Sequence, residues 1–187
     1  MRKVSKIILT VFAVLIIIVV SVAAVIFLDV AAYTATGSQT LTPTGTSAGK
    51  AIVIYDPGLS GTSKTVANQI ASDLQTQNYT VTLAGIKSSA AADISGYIIA
   101  VVGGPVYAGA LTSSVKDTLS NLAPSQGTKV GIFGSGQGAS TPGDVAQLKQ
   151  SIPANADSAL HNAVVVKIGQ KEDLNARAQD LVSQLIP

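Results

Sequence analysis

Between Ala51 and Leu74 the sequence changes its periodicity twice. Ala51-Ile52-Val53-Ile54-Tyr55 is a short β-branched apolar run, and Asp56-Pro57-Gly58-Leu59-Ser60-Gly61-Thr62-Ser63-Lys64 is rich in glycine and hydroxyl groups. After Thr65, Val66, Ile70 and Leu74 recur at helical spacing with Ala67 and Ala71 beside them. The first run has the pattern of a strand buried on both faces, and the last has the pattern of an amphipathic helix. A strand that enters a helix through such a turn aims the free N–H groups of the first helical turn outward, where the helix dipole favours an anion. Gly58 and Gly61 let the backbone curl towards a ligand, and Ser60, Thr62 and Ser63 carry hydroxyls that can donate to phosphate oxygens. Pro57 offers neither an N–H nor a side-chain donor. Capping of the helix by Ser60 or Thr62 is the plainer reading of the same residues.

The rest of the chain repeats the alternation. Strands are expected at Tyr79–Leu83, Tyr97–Val102, Lys129–Phe133 and Ala163–Ile168. Helices are expected at Gly61–Thr76, at Thr112–Leu122, from the Thr141-Pro142-Gly143-Asp144 start, and along Leu174, Ala178, Leu181 and Leu185, with a connector at Ser88–Ile94. Five strands alternating with helices specify an α/β fold with a doubly wound, five-stranded parallel sheet.

Ahead of this domain the chain is of another kind. Ile7 to Leu28 is uncharged and apolar apart from Thr10 and Ser21. As a helix it is about 33 Å long, enough to cross a bilayer. The favoured reading is an uncleaved transmembrane signal anchor. The rival is a cleavable signal peptide, with small-residue cleavage candidates at Ala31-Ala32 and Thr34-Ala35. Arg2, Lys3 and Lys6 place the N-terminus in the cytoplasm by the positive-inside rule, and so the domain outside the membrane. The expected division is a basic tail over 1–6, the anchor over 7–28, a flexible Ser/Thr/Gly-rich linker over 29–49 and the folded domain over 50–187.

Charge and composition exclude several functions. Three of the twelve Lys/Arg and one of the ten Asp/Glu (Asp29) precede Lys50, so the domain is electrically balanced and carries no footprint for nucleic acid. With no cysteine, thiol nucleophiles and zinc–thiolate sites are excluded. Asn78-Tyr79-Thr80 forms a glycosylation sequon on the expected outer side. The single histidine, His161, has no partner motif and reads as a surface or structural residue. Asp56 ends the first strand, where some phosphatases of another fold hold a nucleophile, but the turn supplies no second acid. No catalytic or metal-binding residue is assigned.

In open α/β sheets, ligands bind beyond the carboxyl ends of the strands, where the strand order reverses. Three strand ends here lead into unusual loops: Pro57–Ser63, then Gly103-Gly104-Pro105-Val106-Tyr107-Ala108-Gly109, then Gly134-Ser135-Gly136-Gln137-Gly138. The first strand's closing tyrosine, the Ser60-Gly61-Thr62-Ser63 turn, Ala67-Asn68-Gln69-Ile70-Ala71, Gly104–Gly109 and Val130-Gly131-Ile132-Phe133-Gly134 together resemble the flavodoxin family. The resemblance covers roughly Ala51 to the C-terminus and implies the strand order 2-1-3-4-5, which brings the three loops to one edge. It implies FMN as cofactor, with phosphate at Ser60, Gly61, Thr62 and Ser63. The ring would then lie against Pro105, Val106, Tyr107, Ala108 and Gly109, with Gly103, Gly104 and Gly109 letting backbone groups approach its polar edge and Gly134, Ser135 and Gly136 meeting its pyrimidine side by backbone N–H. Tyr107 is the candidate for stacking on the ring, against the alternative of a loop tyrosine packed on its own sheet. The implied function is electron transfer by a membrane-anchored protein, with an unidentified redox protein or a quinone as partner. A flavin-dependent quinone reductase is a further reading. The alternative is a cofactor-free binding or interaction module on the same fold.

Overall fold

The structure, a computed structural model, describes residues 2–32 and 35–186. The first helix, α1, spans Arg2–Ala32. Its segment Ile8–Ile26 is long and apolar enough to cross a membrane, and the domain buries none of it. The side chains of Arg2, Lys3, Lys6 and Asp29, and Thr34 of one cleavage candidate, lie outside the described residues.

Seven strands form the sheet: β1 (Ser38–Leu41), β2 (Gly49–Tyr55), β3 (Tyr79–Gly85), β4 (Ile99–Tyr107), β5 (Ala110–Leu111), β6 (Lys129–Gly136) and β7 (Val164–Gly169). The spatial order is β1-β3-β2-β4-β6-β7, with β5 paired to β4. The five strands from β3 to β7 along that path are all parallel. Their order is the flavodoxin-like 2-1-3-4-5.

Alternating side chains of each strand enter two cores. Ala51, Val53 and Tyr55 of β2 face α2 (Thr62–Thr76) and α6 (Leu174–Leu185). Ile52 and Ile54 face the layer of α3 (Ser113–Asn121), α4 (Pro142–Gln150) and the single-turn α5 (Ser158–His161). Ile52, Val53 and Ile54 are fully buried, which is why the run contains no polar position. Burying each such side chain contributes about 1.5–3 kcal/mol. Thr141 caps α4 with Asp144 in a reciprocal capping box, as the Thr-Pro-Gly-Asp start implies.

Two departures from the sequence reading matter for the site. Part of the expected linker is a strand: β1 pairs antiparallel with β3, from Ser38 opposite Ala84 to Leu41 opposite Val81. Its polar residues need not bury apolar surface, because backbone hydrogen bonds along the open edge of β3 hold it. The strands also outrun the expected ends, β4 as far as Tyr107 and β6 as far as Gly136. The connector over 88–94 holds a single 3-10 turn at Ser89–Ala91, in keeping with the sequence reading.

Candidate functional site

β2 ends at Tyr55, and the chain turns through 56–61 into α2. Asp56 begins that turn and is 1% exposed. Its Oδ1 accepts the Gly58 N–H at 3.1 Å, and its Oδ2 accepts the hydroxyl of Thr112 at 3.3 Å and, at closer range, that of Ser114. The Asp56 N–H donates to the Gly103 carbonyl at 2.9 Å. A carboxyl group so enclosed is held because hydrogen bonds fill its lone pairs. Asp56 is thus a structural clamp between the first loop and the segment entering α3, and it is closed to a nucleophile's role.

Gly61 stands before α2 with φ 70°, a left-handed conformation that glycine adopts without strain, and no side chain caps the helix. A Cβ there would meet open space. Among the described residues, the first-turn N–H groups of Ser63 and Lys64 have no partner, while that of Thr62 reaches Ser60 Oγ at 3.3 Å. The four candidate phosphate residues therefore divide. Ser60 Oγ donates to Thr62 Oγ1 at 3.1 Å on the exposed side. Ser63 turns inward, buried, and shares a 2.6 Å hydrogen bond with Ser135 Oγ of β6.

The second loop is a β-hairpin. Pro105, Val106 and Tyr107 continue β4, Val106 pairs with Leu111, and Tyr107 pairs with Ala110. Only Ala108 (φ 49°) and Gly109 (φ 81°) turn, both left-handed as a two-residue hairpin of type I′ requires. The Gln147 side chain occupies the space a Gly109 Cβ would need. The third loop is likewise strand: Gly134 pairs with Gly104 and with Lys167, and Ser135 with Pro105 and Ile168. Gly134 lies under Val106 and Leu148.

These ends enclose a cleft of about 350 Å³. Leu59 and Ser60 come from the first loop, and Pro105, Val106, Tyr107 and Ala108 from the hairpin. Ser135, Gly136 and Gln137 come from the end of β6, and Gln170 from the turn after β7. The cleft therefore gathers Ser60, Pro105, Val106, Tyr107, Ala108, Ser135 and Gly136 of the sequence-derived set. Gly61, Thr62, Ser63, Gly109 and Gly134 stand outside its lining, although Thr62 touches Gln170. Gly109 lines a smaller neighbouring cleft of about 210 Å³ with Asp144 and Lys167.

Gln170 was not anticipated. Its N–H donates to Gly136 O at 2.9 Å, and its Nε2 donates to Thr62 Oγ1 at 3.1 Å, so it closes the corner between β6 and α2. Only its place directly after a strand end marked it. Below it, Glu172 accepts the Gly169 N–H at 2.6 Å and the Ser140 hydroxyl at 2.9 Å, with Arg177 Nε 3.9 Å away. Burial works to raise the Glu172 pKa, yet these hydrogen bonds and Arg177 outweigh it and leave the carboxyl below its ordinary value. Hydrogen bonds from Thr141, with Lys167 at 3.1 Å, also hold Asp144 below the usual carboxylate range.

A second cleft of about 350 Å³ lies between the 86–94 segment and α3, lined by Lys87, Ser88, Asp93, Asp117 and Asn121 among others. It has the volume of the first but gathers no set of adjacent strand ends. His161 is exposed on α5 near the opposite edge of the sheet.

No protein-family model matches the chain, and no curated protein matches it in sequence. Solved structures do match it in shape. A short-chain flavodoxin associated with a non-canonical PDU bacterial microcompartment aligns at 20% identity and TM-score 0.50, over 73% of this chain and 95% of that one. A Streptococcus pneumonia TIGR4 flavodoxin aligns at 18% and 0.50, over 73% and 96%. Rubredoxin oxygen:oxidoreductase from Desulfovibrio gigas aligns at 18% and 0.50 over 75% of this chain, which spans only 37% of that protein. The domain therefore has a flavodoxin-like fold.

Proposed function

We propose that this chain is a membrane-anchored flavodoxin-fold protein that binds FMN in the three-loop cleft and transfers electrons. The observation that carries the reading is the convergence of the first loop, the β4–β5 hairpin and the end of β6 on one cleft of about 350 Å³. That volume lies in the ordinary range for small-molecule sites, about 300–1,000 Å³. The uncapped N-terminus of α2 and the open space above Gly61 suit a phosphate. In this reading the N–H groups of Ser63 and Lys64 and the hydroxyls of Ser60 and Thr62 hold the phosphate. Leu59, Val106 and Tyr107 exclude water from the ring, and backbone groups of Gly136 and Gln137 meet its polar edge. Bound flavin supplies the redox chemistry, and the chain supplies position and dielectric. α1 is a single-pass anchor with its N-terminus in the cytoplasm and the domain outside. The redox partner is another protein or a membrane quinone; turnover with quinone would mark the chain as a reductase.

A second reading has its own support. Pro57 lacks an N–H, the Gly58 N–H is taken by Asp56, and the Ser63 hydroxyl is taken by Ser135. Those are losses from a phosphate loop, and they favour a cofactor-free extracytoplasmic binding module. Titrating the full chain in detergent with FMN separates the two. Saturable quenching of flavin fluorescence at micromolar FMN or tighter, abolished by Ser60→Glu with Thr62→Glu at unchanged melting temperature, supports the flavin site. A folded chain that leaves flavin fluorescence unchanged overturns it and leaves the module.

A further inference from the structure

We infer that the edge of the sheet carrying the cleft docks against the bilayer's headgroup layer, so that the cleft opens towards the membrane surface. The inference rests on the anchoring reading of α1 and is independent of whether flavin binds.

It starts from where the chain leaves α1. The helix is described to Ala32, and by Ala35 the chain is already part of the domain. The Lys87 N–H donates to Ala35 O at 2.8 Å, and the Gly85 N–H donates to Gly37 O at 2.8 Å. Three residue steps separate Ala32 from Ala35, a reach of about 11 Å at full extension. The flexible tether expected from composition is thus cut to a few residues, and its far end is pinned.

The pin is at the carboxyl end of β3. Because β3, β2, β4, β6 and β7 are parallel, that is the same edge on which the cleft opens. At about 4.8 Å per strand, the gap between β4 and β6 lies about 12 Å along the edge from β3. The opposite edge is further from the anchor by the length of β6, about 23 Å.

The surface of this edge fits a headgroup layer. Leu59 is 56% exposed there, and the other large apolar side chain exposed in the domain, Ile98, lies at the opposite edge. Lys64 in the first turn of α2, Lys87 after β3 and Lys171 after β7 are exposed and make no ion pair among the described residues. Acids on the same edge are engaged locally: Asp144 by Lys167, Glu172 by Gly169 and Ser140, and Asp173 by the N–H groups it caps. Free lysines around an exposed leucine suit an anionic lipid surface.

The chain has no cysteine, so single labels report position directly. Ser60→Cys and Gln137→Cys mark the cleft edge, and Ser125→Cys and Asn155→Cys mark the opposite edge; all four residues are exposed. Each full-length variant is labelled with a fluorophore and placed in anionic-lipid vesicles that carry a headgroup quencher. Flotation with the vesicles tests the anchor by itself. Severalfold stronger quenching at 60 and 137 than at 125 and 155 is expected. Equal quenching at the two edges, or stronger quenching at 125 and 155, in protein that floats overturns the docking and leaves the anchor standing. Protein that does not float overturns both. Hydrogen exchange of the unsubstituted chain reads the same contrast without any variant: slower exchange at 58–62 and 136–138 in vesicles than in detergent is expected, and no difference counts against docking.

Discussion

The two flanks of the cleft are held by different forces. The first-loop flank is held by side chains: Asp56 grips Gly58, Thr112 and Ser114, and Ser63 grips Ser135. The hairpin flank is held by backbone: β4 pairs with β5 and β6 up to the cleft, and only Ala108 and Gly109 turn. A side-chain clamp concentrates its stabilisation in a few buried polar atoms, so one truncation orphans several partners. A backbone ladder spreads it over many groups and is vulnerable only where its turn demands a special φ. Polar truncations should therefore be costly on the first flank, and the hairpin should answer mainly at its two turn residues.

The largest effect is expected at Asp56. Asp56→Ala leaves the Gly58 N–H without its acceptor and, because the Thr112 and Ser114 hydroxyls also meet each other at 3.0 Å, leaves one of those two hydroxyl protons without its own, so it should cost about 3 kcal/mol. Denaturant unfolding of the full chain in detergent, followed by circular dichroism, measures it. A loss below about 1 kcal/mol would break the contrast, because the first loop would then be held by something other than this clamp. Gly109→Val tests the other flank. It forces a β-branched residue into the left-handed region and pushes the Gln147 side chain aside, for an expected cost of about 2 kcal/mol. Conservative changes at neighbouring Val106 should cost less.

Ser63→Ala should cost about 1–2 kcal/mol, since it leaves the Ser135 hydroxyl buried without its partner. Ser63→Ala with Ser135→Ala should cost less than the two single changes added together, and that coupling is the sharper observation. Strict additivity would mean that the 2.6 Å contact contributes nothing to joining α2 to β6.

These partners explain what could be read in the sequence. The central parallel strands were legible because both faces are buried, which forces apolar runs such as Ile99–Val102. Their strand order came with the family resemblance, and it brought the three loops together. Backbone pairing leaves no such signature. β1 hides in a Ser/Thr-rich stretch, and the ends of β4 and β6 hide in glycine-rich stretches that read as loops because glycine is depleted from strands. Side-chain direction was hidden too. Ser60 and Ser63 are the same residue type in one turn, yet Ser60 faces solvent and Ser63 faces Ser135. The clamp role of Asp56 was hidden from its own turn because its enclosing hydroxyls lie more than fifty residues away in sequence. Gln170 carried no motif.

The smallest expected effect lies at the corner joining the flanks, where Gln170 meets Thr62 and Glu172 supports the turn. Glu172 has a folded-state pKa below its ordinary 4.5. An acid depressed in this way stabilises the fold above its unfolded pKa, and the contribution is lost as pH falls through the lower folded value. Once the pH has fallen through that lower folded value, the protonated carboxyl should hold the Gly169 N–H and Arg177 less well, and the corner should loosen. The group lies near solvent, so screening reduces its worth to a few tenths of a kcal/mol. Unfolding curves for the native chain and Glu172→Gln should therefore differ slightly at pH 7 and converge once the pH lies below the folded value. A gap that widens on acidification would reverse the sign and show that burial, the influence raising this pKa, outweighs the hydrogen bonds. The corner would then count with the costly buried groups instead of the clamps.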